Sequence, residues 1–289
     1  MLVSVLNTVI NGLLLGGLYA MIAIGLNLQY GVARVLNIAH GEFIMLGAFI
    51  TWTMYTMFGI NPLVSLAIVG PIVLIIGFLV QRTLFTRLRT SAPSPGAYEA
   101  TSLLASFGLL FVIQNVALQI WGGDMRAYSY YNFGINLWGA VFAANRLIAL
   151  VFAVVIGIAF YIFLIRTRLG KAIRAAAQDS VSAGLMGVNI NLVLAICFGL
   201  GALMAGLAGL LISMCYPIYP VMGLEYTIIA IIVIVLGGLG SIPGGFIGGF
   251  ILGLIGSIVS SWQPALALAA YYILFMLLLV VRPKGILGK

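Results

Sequence analysis

Charge is what this sequence has least of. Only 6% of its 289 residues are charged, against about 25% in a soluble domain. A chain so poor in charge cannot keep a water-facing surface around a core. With 64% hydrophobic residues and a mean hydropathy of +1.25, the solvent must be lipid. Histidine occurs once, as His40, beside five acids. No nucleophile–base–acid set can be assembled from so few groups, which argues against an enzyme. The same scarcity leaves no metal-ligand cluster. The only cysteines, Cys197 and Cys215, lie 18 positions apart on one apolar run. A helix would separate them by about 27 Å, too far for a disulfide. The N-terminus lacks the basic n-region and short h-region of a cleaved leader, so it reads as a retained first span.

Apolar runs near the roughly 20 residues that a bilayer demands fall at Val5–Leu28, Ile38–Phe58, Leu63–Val80, Ser102–Trp121, Leu147–Ile165, Leu192–Met214, Tyr226–Leu239, Phe246–Ser261 and Leu266–Val281. The second, seventh and eighth are the weakest. The seventh and eighth are short or glycine-rich, so a broken or re-entrant segment is the alternative there. The expected fold is all-α: a polytopic transmembrane bundle of 8–10 spans, forming one membrane domain over residues 1–289.

Net charge is +8, and its placement between apolar runs points to topology rather than to nucleic acid. Arg82, Arg87 and Arg89 follow the third run. Arg166, Arg168, Lys171 and Arg174 follow the fifth, and Arg282, Lys284 and Lys289 the ninth. If all three clusters are cytoplasmic, an even number of spans must separate them, and it does. Parity then gives nine spans with the N-terminus outside and the C-terminus inside, although losing two spans together would satisfy it equally. Residues 90–98 (TSAPSPGAY) carry Pro93 and Pro95, which cannot continue a helix. They read as a cytoplasmic loop between two halves.

The 36 glycines are patterned. Gly245, Gly249 and Gly253 recur every four residues, with Gly244 and Gly248 in a parallel row. Gly201, Ala205 and Gly209 repeat the device on the sixth run, and Gly12, Gly16 and Ala20 on the first. Such rows let helix backbones approach closely in lipid. Around Pro243 they offer a second reading, a broken helix lining a cavity, which brings Gly244 into a candidate pathway. No Lys-Ser or Lys-Thr follows these glycines, so they form no phosphate loop.

Polar residues in the apolar runs are the remaining candidates. Asn37, His40 and Glu42 open the second run. An ionisable group there costs at least a few kcal/mol unless paired or wet, so it serves either a buried network or a pathway. His40 and Glu42 are two apart and need separate partners, unless the helix breaks at Gly41. Glu225 starts the seventh run, as a helix cap or as a partner for a substrate amino group. Asn115 and Gln119, one turn apart, share a face. Asn27 and Gln29 read as interhelical hydrogen-bonding groups. Residues 166–189 are the most polar segment, with a short amphipathic helix expected over 171–185 that either lies in the interface or docks a soluble partner.

Four stretches occur in order: NIAHGEFIMLGA (37–48), RTRLGKAIRAAAQDSVSAGLMGVN (166–189), GGLGSIPGGFIGG (237–249) and RPKGILG (282–288). Together they resemble the signature stretches of branched-chain amino acid ABC permeases. The resemblance implies a permease subunit of the bacterial inner membrane, working with a second similar permease, two cytoplasmic ATPases and a periplasmic binding protein. ATP and Mg would be held by the ATPases, so no cofactor is expected in this chain. It implies that 166–189 is a coupling loop, with Arg174, Ala176, Ala177, Asp179 and Gly184 as its ATPase contacts. Relatives of this family also import urea, short amides and carboxylates. A different class, an ion-coupled carrier or channel, would have to use His40 and Glu42 as its relay.

Overall fold

The computed structural model describes residues 2–137, 140–282 and 285–287. Lys284 and Lys289 of the third basic cluster, and Pro283 and Gly288 of the last signature stretch, lie outside the described residues. The chain is mostly helical. Its long helices are α1 (Leu2–Ala33), α2 (His40–Phe58), α3 (Pro62–Val80), α5 (Pro95–Trp121), α6 (Ala144–Arg166), α9 (Ile190–Cys215), α10 (Met222–Gly237), α11 (Ile242–Trp262) and α12 (Ala267–Val281). Short helices α4 (Thr86–Ser91), α7 (Arg168–Gln178) and α8 (Ser180–Leu185) lie between them.

Among the described residues, seven helical segments are long and apolar enough to cross a membrane, fewer than the nine expected. The two that fall short are α2 and α10. α10 is apolar but only 16 residues long. α2 has 19 residues, but His40, Glu42 and its threonines dilute its hydropathy.

Three expectations are corrected. The polar stretch before α6 contains a small antiparallel sheet, β1 (Gly134–Leu137) against β2 (Ala140–Ala143), so the fold is not purely helical. Strands of 4 residues are too short for period-two patterning to show. The supposed loop over 90–98 shrinks to residues 92–94. Pro95 sits in the first turn of α5, where its missing N–H is harmless, and Ser94 caps that helix. The helix expected over 171–185 is two helices, because extended Asp179 stops α7 and its carboxylate caps α8.

The clusters of positive charge gather at one end of the bundle, here the basic end. Arg34, Arg89 and Ala176 line one cavity there, and Arg89 reaches Asn191 at the start of α9. Gly285 packs on Val235 and Gly238 at the end of α10. The sheet lies at the opposite, hairpin end, where Tyr128 bonds Ser213 and Asn145 bonds the Met214 carbonyl.

Glycine rows set the tightest helix contacts. Gly249 lies against Ala20 and Gly253 against Gly16, so the α11 row meets the α1 row backbone to backbone. The second α11 row, Gly244 and Gly248, packs on Gly237 and Val233 of α10. On α9, Gly201 meets Gly25 and Gln29 of α1, while Gly209 meets Ile44 of α2. With no hydrophobic drive between helices in lipid, this close packing holds the bundle together.

Candidate functional site

α1 has 32 residues, a length of about 48 Å, well beyond the roughly 30 Å hydrocarbon core. The chain leaves it at the basic end and then doubles back. Asn37 anchors that return. Its amide donates to Gln29 (3.3 Å), whose own amide donates to the Phe198 carbonyl (3.1 Å). Its carbonyl oxygen accepts from the Ala39 N–H (3.1 Å) and shapes the turn into α2. α2 begins at His40, whose Nε2 lies 3.2 Å from the Ile22 carbonyl of α1. Ile22 is about 16 Å from the Ala33 end of α1, so α2 starts deep inside the bundle and runs toward the hairpin end.

α10 is its counterpart. After α9, residues 216–221 run inward without helix, and α10 starts at Met222 beside the first turn of α2. The Thr227 hydroxyl accepts from the Gly41 N–H (2.8 Å) and lies 3.0 Å from the Ile38 carbonyl. Gly41 lies directly on the Gly223 backbone, where a side chain would not fit, and a side chain at Gly223 would meet the Glu42 carboxyl group. From there α10 runs to the basic end. There Asn27 clasps the α10–α11 turn, donating to the Ser241 carbonyl (2.9 Å) and accepting from the Gly240 N–H (2.8 Å). Two helices that each cover part of the depth thus start from one point and run in opposite directions. The positive ends of their dipoles converge there.

The ionisable groups of the junction are buried and underpaired. Facing a carbonyl, His40 Nε2 must donate, which leaves Nδ1 as a buried lone pair with no partner. The Glu42 carboxylate lies on Gly223, in the first turn of α10, and its Oε2 accepts no hydrogen bond. His40 and Glu42 face different helices: His40 the Ile22 carbonyl of α1, and Glu42 the Gly223 backbone of α10. Arg34 takes no part in holding Glu42.

Glu225 is also in the first turn of α10 but is exposed, accepting from the Tyr219 hydroxyl at 2.7 Å. An exposed carboxylate at this depth does not face lipid, where even a paired charge is costly. Its side of the chain therefore borders protein or water.

The segment at the basic end is amphipathic in two pieces. Ile173 and Ala176 of α7 and Ala183 of α8 turn into the bundle. Asp179 Oδ1 accepts from the Val181 and Ser182 N–H groups (2.9 and 3.1 Å), and its second oxygen accepts from the Ser182 hydroxyl. These bonds, the hydroxyl first, hold its carboxyl below the usual aspartate range. Beyond this cap, Val181 is 72% exposed and Leu185 and Met186 are each 85% exposed. That apolar patch projects from the most polar stretch of the chain.

Comparison with known proteins bears on this arrangement. The family model for the branched-chain amino acid transport system / permease component matches residues 8–281, from the second turn of α1 to the end of α12. The chain belongs to this permease family. It is 32% identical to the high-affinity branched-chain amino acid transport system permease protein BraD of Pseudomonas aeruginosa, over 98% of this chain and 96% of that protein. Identity to the LivH permease protein of Escherichia coli K12 is 33% with the same coverage. A probable LivH of Methanocaldococcus jannaschii is 27% identical over 94% of this chain and 89% of its own length. No solved structure matches the chain.

Within the permease, the pathway candidates separate. Asn37, His40 and Glu42 lie at the junction, and Glu225 borders it. Gly244 does not reach it: it packs on Gly237 in the turn between α10 and α11, where Pro243 occupies the first turn of a continuous α11. Asn115 is exposed on α5, its amide bonded to the Phe111 carbonyl of its own helix. Of the loop candidates, Ala176 faces the bundle and Ala177 is half-buried. Arg174 is exposed and donates to the Ile165 carbonyl, while Asp179 and Gly184 are exposed. Sequence reasoning missed Thr227 and Gly223, whose roles appear only with the tertiary pairing of α2 and α10. It also missed the exposed Val181, Leu185 and Met186 as a patch. Large apolar residues on both sides of Gly184 were the available signal.

Proposed function

We propose that the chain is the path-forming permease subunit of an ATP-driven ABC importer for branched-chain amino acids in the bacterial inner membrane. α2 and α10 count as membrane-crossing elements when taken with the non-helical segments 34–39 and 216–221 that complete them. That restores nine crossings, with the N-terminus outside and the basic end cytoplasmic. The chain is one membrane domain, and it works with a second permease, two cytoplasmic ATPases and a periplasmic binding protein.

The observation that carries the reading is Glu225, exposed at the depth where two helix N-termini converge. A second permease against this side would close a path between the subunits. Half-helix N-termini suit a substrate carboxylate, and Glu225 suits its ammonium. His40 and Glu42 hold the junction from behind. Movement of α7 and α8 by the ATPases would be passed to α1 and α9, on which the loop packs, and would shift the bundle between outward and inward access. The exposed Val181, Leu185 and Met186 patch supplies the apolar contact with the ATPase, while ATP and Mg are bound there and not in this chain. The soluble binding protein selects the substrate, so the same permease design also serves urea, short amides or carboxylates.

The test is uptake by proteoliposomes containing this chain with its neighbouring gene products. Labelled leucine, isoleucine and valine should enter only with ATP, the ATPases and the binding protein, and Glu225→Gln should reduce the rate at least tenfold. Uptake by this chain alone, driven by an ion gradient, would replace the importer with a carrier relaying protons through His40 and Glu42.

A further inference from the structure

The cavity at the basic end has a volume of about 470 Å3 and lies away from the junction. It is bounded by the end of α1, the α4–α5 turn, the start of α9 and the joint between α7 and α8. Its polar wall holds Arg34, Arg89 and Glu99, and Val32, Ile190 and Leu194 make an aliphatic side. Among the described residues, the side chains of Arg34 and Glu99 make no hydrogen bond or ion pair. Arg89 makes only one long contact, 3.5 Å to Asn191. The Tyr98 hydroxyl, also in the wall, is buried beside Gln81 and Ser102. Arg34 ends α1 at φ 55°, a left-handed conformation that bulky residues avoid. Glycine would end the helix without strain but would take a guanidinium from the cavity.

We infer that this cavity binds a zwitterionic aliphatic amino acid from the cytoplasmic side. Two guanidiniums and one carboxylate, all without strong partners, are the electrostatic complement of an α-carboxylate and an α-ammonium. A phosphate or a dicarboxylate would meet Glu99 as a repulsive neighbour. The aliphatic wall takes the side chain. Ala176 and Ser180, on either side of Asp179, complete the lining, so an occupant ties the α7–α8 joint to α1 and α5. The consequence rests on the proposed function: accumulated product would hold the coupling loop still and slow further import.

Binding is measured first, because it does not depend on transport. The full-length chain is placed in phosphatidylcholine nanodiscs and titrated with labelled L-leucine. Arg34→Gln combined with Arg89→Gln, and separately Glu99→Gln on an exposed position that tolerates it, should each weaken binding at least tenfold, while Met276→Leu on the exposed face of α12 leaves it unchanged. Isovalerate and isoamylamine, each carrying one of the two charges, should compete at least tenfold less well than leucine. No leucine binding, binding unchanged in both cavity variants, or competition by either half-molecule equal to leucine would overturn the proposal. Variant-sensitive binding without ATP-driven uptake would contradict the importer alone, and uptake without variant-sensitive binding would contradict the cavity alone.

Discussion

α9 and the segment leading into α12 have nearly the same mean hydropathy, 2.3 and 2.4, yet the α9 window is 83% buried and the other only 6%. Hydropathy therefore marks which segments enter the membrane and is silent about where in the bundle they go. The difference lies in residue size. α9 carries Gly199, Gly201, Gly206 and Gly209, each within close-packing distance of a neighbouring helix. α12 ends in a run of tyrosine, phenylalanine and aliphatic residues with no glycine. In lipid, large apolar side chains gain little by leaving the acyl chains, whereas a flat glycine face gains backbone contact. Of these two, the small-residue helix lies in the centre and the large-residue helix on the outside.

The comparison breaks most visibly at Gly209, where a side chain would enter the Ile44 backbone. Gly209→Leu should destabilise the bundle by about 3 kcal/mol, the upper part of the overpacking range, while Met276→Leu on exposed α12 should stay within about 0.5 kcal/mol. Thermal melting in detergent compares them, and equal losses would contradict the division into core and rim. Thr227→Val tests the junction, since it leaves the buried Gly41 N–H without an acceptor. A loss of about 1–3 kcal/mol is expected, and a Thr227→Ser variant should recover most of it.

Leu185→Glu sharpens the comparison at an exposed apolar residue to which a docking role is proposed. Melting should be unchanged, but association with the partner ATPase should fall by at least about 1 kcal/mol, read by co-purification. Unchanged association would remove the docking role of the patch. The smallest effect belongs to Asp179. Its carboxyl is held below its unfolded value, so its contribution to α8 is complete at neutral pH and is lost as pH falls through the depressed value, below about pH 4. Amide exchange at Val181 and Ser182 should quicken only in that range, and Asp179→Asn should flatten the response.

Much of this was legible in the sequence. The glycine rows foretold the α1–α11 and α9 packing faces, and the grouping of arginines foretold the basic end. Asn27 and Gln29 do bridge helices. Counting spans by apolar length was less informative at α2 and α10, because His40, Glu42 and the threonines lower the hydropathy of α2, and α10 is only 16 residues long. His40 and Glu42 stood out by their cost in lipid, but the meeting of Gly41 with Thr227 and of Glu42 with Gly223 depends on contacts across more than 180 residues, which no local pattern records. The loop helix broke at Asp179 because a strong capping side chain outweighed the helix preference of the alanines around it.

The most direct test of the central claim is water accessibility at position 225. In assembled importer in membrane vesicles, Glu225→Cys and Met276→Cys are treated with a charged thiol reagent that cannot cross the bilayer; native Cys197 is buried, and Cys215 is first replaced by alanine. The account predicts rapid labelling at position 225 that substrate suppresses, and no labelling at 276. Equal inertness at both positions, or labelling at 225 indifferent to substrate, would contradict a path running past the junction of α2 and α10.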